Sequence, residues 1–444
     1  AGLLTRRYHG LLVAALKPPV GRTLLVAKLD ETAGYGGRMF ELSANRWHGG
    51  SVSPHGYRQI ERFRLEGTVP VWTYALADAL LEKRVWMEPG ANTTYVRYEL
   101  TRGAGPVTLS IKPLVNYRDY HGGTRSNGWR MRVEPAEHGL AVTAYEGAVP
   151  FYLLSDRGER GAAHDWHVGF DLAVERARGL DDREDHLQIG TIRAAVEEGA
   201  PLTIVLSTDP TASRDGAQAL ERRRRHERAL VAAFTRARPA PAKQAPPWVG
   251  QALLAADQFI VDRSSPEDPG GRSVIAGYPW FGDWGRDTMI ALPGLTLTTG
   301  RSAIARQILK TFARFVDRGM LPNRFPDAGE TPEYNTVDAT LWYVEAIRAY
   351  HAATGDDRLV RELFPVLGEI VDWHRRGTRY GIRLDHADGL LQAGEEGVQL
   401  TWMDAKVDGW VVTPRIGKPV EINALWYNAL RAMAVLARIA KKPA

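Results

Sequence analysis

The sequence predicts two consecutive folds: an antiparallel β-sandwich over residues 1–208 and an all-α domain over 248–444, joined by a helix and connector at 209–247. Three observations carry this. The first two hundred or so residues are short β-rich runs punctuated by Gly, Pro and Asn, with no helical crossover between them, which favours antiparallel pairing. Four prolines fall within 238–247, a density that no helix interior accommodates and that makes a stiff linker. After Trp248 the apolar spacing changes to a period of about 3.6. A chain of 444 residues also exceeds what one hydrophobic core usually holds.

In order along the chain, strands are predicted at 24–29, 69–74, 83–87, 94–100, 107–112, 129–133, 141–145 and 202–206, and a helix at 209–238. Beyond the connector, helices are predicted at about 249–263, 286–298, 301–318, 338–354, 357–376 and 421–440. The third has Ile304, Ile308, Leu309, Phe312, Phe315 and Val316 on one face, the stripe of an amphipathic helix. No repeat of fixed period indicates a solenoid.

Composition narrows the function. Hydrophobic residues make up 44% and charged residues 25%, an ordinary globular balance, and no apolar run approaches the roughly 20 residues that cross a bilayer. The formal charge is +5, and the densest basic run is 222–225. Glu221 and Glu227 interrupt it at helical spacing, so it reads as a solvated helix face, and no nucleic-acid module accompanies it. The chain has no cysteine, which removes disulfides and thiolate-bound zinc and fits a reducing, cytoplasmic location. It opens at Ala1 without Met and stops within the helical pattern that starts at Glu421, so it is expected to be part of a longer polypeptide.

The chemistry lies in the connections. Those entering the second, fourth and sixth helices of the all-α domain are aromatic and acidic: Gly-Tyr-Pro-Trp-Phe-Gly-Asp-Trp-Gly-Arg-Asp at 277–287, then 321–327 with Glu-Tyr-Asn-Thr-Val-Asp at 333–338, then a long stretch with Trp402, Asp404, Lys406, Trp410 and Glu421. The connections into the third and fifth are short. If helices alternate up and down, the rich loops gather at one end of the bundle. Rings of Tyr278, Trp280, Phe281, Trp284, Tyr334, Trp402 and Trp410 beside Asp283, Arg286, Asp287, Asn335 and Asp404 suit a sugar, whose C–H faces stack while its hydroxyls need polar partners. Glycosidic cleavage takes two carboxyl groups, and Asp338 is the candidate acid at the start of a well-patterned helix. The helix N-terminus works against a protonated acid there, and the same position suits a helix N-cap. There is no His-Glu-x-x-His zinc helix, phosphate-binding loop or Gly-x-Ser-x-Gly elbow; His9 and His374 read as structural.

Segments 277–287, 321–327, 333–342, 401–406 and 421–428, with Thr-Arg-Arg-Tyr-His-Gly-Leu-Leu at 5–12, resemble motifs of the amylo-α-1,6-glucosidase, or glycogen debranching, family over nearly the whole chain. The resemblance implies a sandwich followed by an (α/α)6 toroid, inverting hydrolysis of α-1,6-linked glucose in branched α-glucan, and no metal or organic cofactor. It implies Asp338 as general acid, with Asp283, Trp284, Arg286, Asp287, Trp402 and Asp404 at the glucose subsite; the matched segments add Asn323, Arg324, Glu333, Lys406, Glu421 and Asn423 to the expected substrate contacts. Six helices are half of such a toroid, and the family's base belongs to the other half, so none is assigned here. A glucoamylase-like or trehalose-cleaving enzyme and a non-catalytic glucan-binding protein stay open as readings.

Overall fold

The structure is a computed structural model describing residues 2–238, 244–325 and 331–442. The chain divides into two compact units, residues 1–17 with 21–229 and residues 18–20 with 230–444. Of the proline-rich connector, 239–243 lie outside the described residues.

The first unit is built of two antiparallel sheets. One has six strands, in the order Leu12–Lys17, Val20–Tyr35, Val107–Asp119, Arg183–Val196 and Glu159–Asp171, with Arg38–Glu41 also pairing with the second of these. The other has eight, running from Arg132–Ala136 through Gly139–Thr143, Phe151–Ser155, Leu202–Ser207, Thr93–Arg102, Ala79–Met87 and Val69–Leu76 to Ile60–Glu66. Alternation drives the layering: Leu25, Leu109 and Ile189 of one sheet and Leu81, Val96 and Ile204 of the other are buried in one shared core, as period-two side chains on facing sheets must be. The run 129–133 is corrected: Trp129 lies outside the strand that begins at Arg132.

Helix α1, Gly216–Ala237, starts later than predicted, because Asp209 and Asp215 spend their side chains on the peptides of Thr211 and Gln218, the usual local competition with helix. It packs Ala219 and Leu220 on Val71, Trp86 and Val205. The basic run is not simply solvated: Arg222 pairs with Glu88, Arg223 with Thr68 and Glu227, and Arg224 with Glu66.

The second unit is helical: α2 Pro247–Gln258, α3 Gly285–Leu292, α4 Ser302–Ala313, α5 Asp338–Thr354, α6 Asp357–Arg376 and α7 Val420–Ala440. In α6, Leu359, Val360, Leu363, Leu367, Ile370 and His374 make the buried stripe at the spacing of an amphipathic helix. Its start is capped by Asp356, whose carboxylate accepts the Leu359 N–H at 3.1 Å, and Gly355 at φ 67° closes α5 just before it, a helix-ending conformation that favours glycine. Helix α4 ends five residues short of the prediction, and Arg318 and Gly319 turn the chain with positive φ. His374 is fully buried, bonds through Nδ1 to Ile370 O at 2.8 Å and stacks on Trp426.

Candidate active site

The loops before α3 and α5 meet because small backbone contacts fasten them together. Gly285, the first residue of α3, donates its N–H to Asn323 O at 2.8 Å, and Asn323 donates to Glu333 O at 2.7 Å. A Cβ at position 285 would stand 2.1 Å from Pro322 O, so only glycine allows this approach. The loop before α7 joins them through Val337 N–H to Leu400 O at 2.9 Å. Three connections rich in aromatic and acidic residues thus converge on the start of α5.

At the meeting point Arg286 Nε donates to Asp338 Oδ1 at 2.8 Å, and Thr336 Oγ1 donates to the same oxygen at 2.8 Å. Asp338 is not a plain N-cap: Thr336 Oγ1 takes the Ala339 N–H at 3.2 Å instead, leaving the carboxylate for Arg286. Both members of the ion pair are buried, Asp338 at 2% exposure and Arg286 at 8%.

Asp287 follows Arg286 on the first turn of α3 and is exposed. Desolvation nonetheless raises its carboxyl above the usual range; the Arg286 charge opposes the rise, and the negative charges of Asp338 and Asp404 add to it. The Asp287 carboxyl therefore feels the charges of Asp338 and Asp404, which come from the two other loops. Of the rings in these loops Tyr278, Phe281, Trp402 and Trp410 are exposed, and Phe281 meets Trp284 edge-on at 5.7 Å. Trp280 is partly buried in the same loop.

Other expected contacts are placed differently. Asp283, expected on the sugar side, is wholly enclosed, its carboxylate accepting from both Arg263 and Ser273; it braces the loop. Arg263, which also lies over the Phe325 ring at 3.9 Å, escaped sequence reading because it stands outside every motif. Thr336 could have been found from its place two residues before Asp338. Asn323 is buried, and Arg324 pairs with Glu333 at 2.5 Å. Tyr334 turns away, its hydroxyl donating to Phe315 O at 2.9 Å and its ring lying under Arg379. Lys406 donates to Gly397 O, Arg415 Nε lies 2.8 Å from Glu421 Oε1, and the Asn423 amide is spent on the Leu391 and Pro419 backbones. Residues 326–327 of the predicted loop lie outside the described residues. Among the described residues, no group of three or more His, Asp or Glu is arranged to hold a metal ion, and no helix is long and apolar enough to cross a membrane.

Comparison with known proteins puts the chain among the glycosyl hydrolases. Residues 254–443 match the family described as amylo-alpha-1,6-glucosidase, and residues 1–203 match glycogen debranching enzyme N terminal. The chain belongs to the glycogen debranching enzyme family. It is similar to the glycogen debranching enzyme of Saccharomyces cerevisiae, 28% identical over 218 residues, covering 36% of this chain and 14% of the yeast protein. In fold it is similar to a bacterial glucoamylase solved in complex with acarbose, with a TM-score of 0.52 and 12% identity, over 95% of this chain and 59% of that one.

Proposed function

We propose that this chain serves the removal of α-1,6-linked glucose at branch points of glycogen-type glucans, by inverting hydrolysis with Asp338 as general acid, in the cytoplasm. The observation that carries the reading is the meeting of three ring- and carboxylate-bearing loops at the buried Asp338, which Arg286 and Thr336 hold in place. Because Arg286 and Thr336 both donate to Oδ1, Oδ2 is the oxygen left to pass a proton to the departing glycosidic oxygen. Asp287 and Asp404 are assigned to sugar hydroxyls and the exposed rings to the pyranose face. The six helices α2 to α7 are read as part of an (α/α)6 toroid.

No residue of this chain is assigned as base, since Glu333 is held by Arg324 and Glu421 by Arg415. Residues 1–444 alone are therefore expected to release no glucose at a useful rate; robust release by them would promote Glu421 or Glu333 to base. The acid is tested in the longest natural form of the protein, assayed on α-1,6, α-1,4 and α,α-1,1 glucosides. Asp338→Asn should lower kcat by roughly 10²- to 10⁴-fold while ligand affinity is kept. Preference for α-1,4 or α,α-1,1 bonds would move the reading to another α-glucan hydrolase, and an unaltered protein that binds glucan without turnover would make it a binding protein.

A further inference from the structure

Thr336 stands two residues before the proposed acid and is wholly buried. Its backbone is tied on both sides: its own N–H donates to Tyr334 O at 2.8 Å, and the next N–H, of Val337, donates to Leu400 O at 2.9 Å. A threonine side chain is stiff about χ1 because its Cβ is branched, so the hydroxyl stays where this backbone puts it.

A hydroxyl has one proton to give and lone pairs with which to receive. Thr336 Oγ1 receives the Ala339 N–H at 3.2 Å, one of the first-turn donors that α5 cannot satisfy within itself. With that side taken, the hydroxyl proton points to the acceptor it meets among the described residues, Asp338 Oδ1 at 2.8 Å. Arg286 Nε reaches the same oxygen at 2.8 Å from α3. The torsion that turns an aspartate carboxyl about Cβ–Cγ is soft and two-fold, and a single donor leaves it room to swing. Two donors arriving from different elements fix its plane and keep Oδ1 an acceptor.

We propose that Thr336 is a positioning residue for departure of the leaving group: its hydroxyl, oriented by the first turn of α5, holds the Asp338 proton on Oδ2 and fixes the direction in which it is delivered. The inference rests on the hydrolase reading above. As the C1–O bond breaks, its electron pair stays with the departing oxygen, which takes the proton from Oδ2 and leaves Asp338 a carboxylate. Water forms the new bond to C1 and gives its spare proton to the base. Thr336 touches none of these atoms. Its effect is confined to proton delivery, so it counts most where the leaving group needs a proton most.

The test compares two substrates in the longest natural form of the protein: a branched oligosaccharide bearing one α-1,6-linked glucose, and α-D-glucosyl fluoride, whose fluoride departs with little help from an acid. Thr336→Val keeps the branched outline and removes the hydroxyl. It should lower kcat on the branched sugar by roughly 10- to 100-fold, leave KM within about twofold and lower fluoride turnover by less than about threefold. Thr336→Ser, which keeps the hydroxyl, should bring kcat on the branched sugar back to within about fivefold of the unaltered protein. An unchanged kcat in Thr336→Val overturns the inference and leaves the hydrolase reading standing. Equal losses on both substrates overturn it too, because a residue that merely caps α5 loosens the whole site; so does a loss carried by KM alone, or no recovery in Thr336→Ser. If Asp338→Asn loses both substrates equally, or the unaltered protein cleaves neither, the inference falls together with the reading it rests on. If Thr336→Val does not fold, Thr336→Ala decides by the same readouts.

Discussion

Arg286 and Asp338 hold each other at 2.8 Å with almost no solvent around them. Taking one charge from such a pair strands the other in a poor solvent, at about 3–5 kcal/mol. Arg286→Met should lower the free energy of unfolding by about that much, read from urea melts, because the Asp338 carboxylate then keeps only Thr336. Asp338→Asn should cost less, since the amide oxygen still accepts from Arg286. Histidines supply a pH dependence. Burial holds the His374 imidazole below its ordinary value and holds His186 well below it, with Arg118 adding to the effect at His186. The unfolded chain protonates each near pH 6.5 while the folded chain resists, so the stability they allow is complete above that pH and falls as pH drops through it toward the folded values. The urea midpoint should be lower at pH 5.5 than at pH 7.5, and His374→Phe, which keeps a ring against Trp426, should shrink the difference. An undiminished difference would assign the dependence elsewhere.

Whole elements show what pattern can and cannot announce. Helices α5 and α6 stand at their predicted bounds because an amphipathic stripe and a Gly355–Asp356 boundary agree with the tertiary packing. Strands Glu159–Asp171 and Arg183–Val196 were missed for opposite physical reasons. The first is a largely exposed edge strand with no apolar alternation, and the second buries Glu184, Asp185, His186 and Gln188, residues that read as loop until their partners are known. The site divides in the same way. Convergence of the loops was legible from helix alternation, and with it the company of Arg286, Asp287 and Asp338. The enclosure of Asp283 was not, because its partner Arg263 lies on an unremarkable stretch 20 residues away. What aligns the loops is Gly285, a residue without a side chain to advertise it. Gly285→Ala should force the loops before α3 and α5 apart and cost about 1–3 kcal/mol as an overpacked contact, measured by urea unfolding; a neutral result would mean that the loops yield without cost.

At the scale of the whole molecule each unit closes an apolar core of its own, yet the helical unit leaves apolar surface uncovered. Along α7, Ile422, Trp426, Ala429, Ala432 and Leu436 face inward, while Val420, Tyr427, Leu430 and Val435 look out, Val420 at 82% and Tyr427 at 66% exposure. Ile290 of α3 and Trp248 of α2 are exposed as well. Scattered apolar side chains on a surface need no explanation, but residues recurring at helical spacing make a stripe, and such stripes promote association. The chain should therefore self-associate as its concentration rises, in a manner that survives high salt, because an apolar contact is not screened as an ion pair is. Tyr427→Glu with Val435→Lys should reduce light scattering at equal concentration while leaving the urea midpoint nearly unchanged, since neither side chain belongs to the buried stripe. Equal scattering from the substituted and unaltered chains would show that association, if it occurs, runs through another surface.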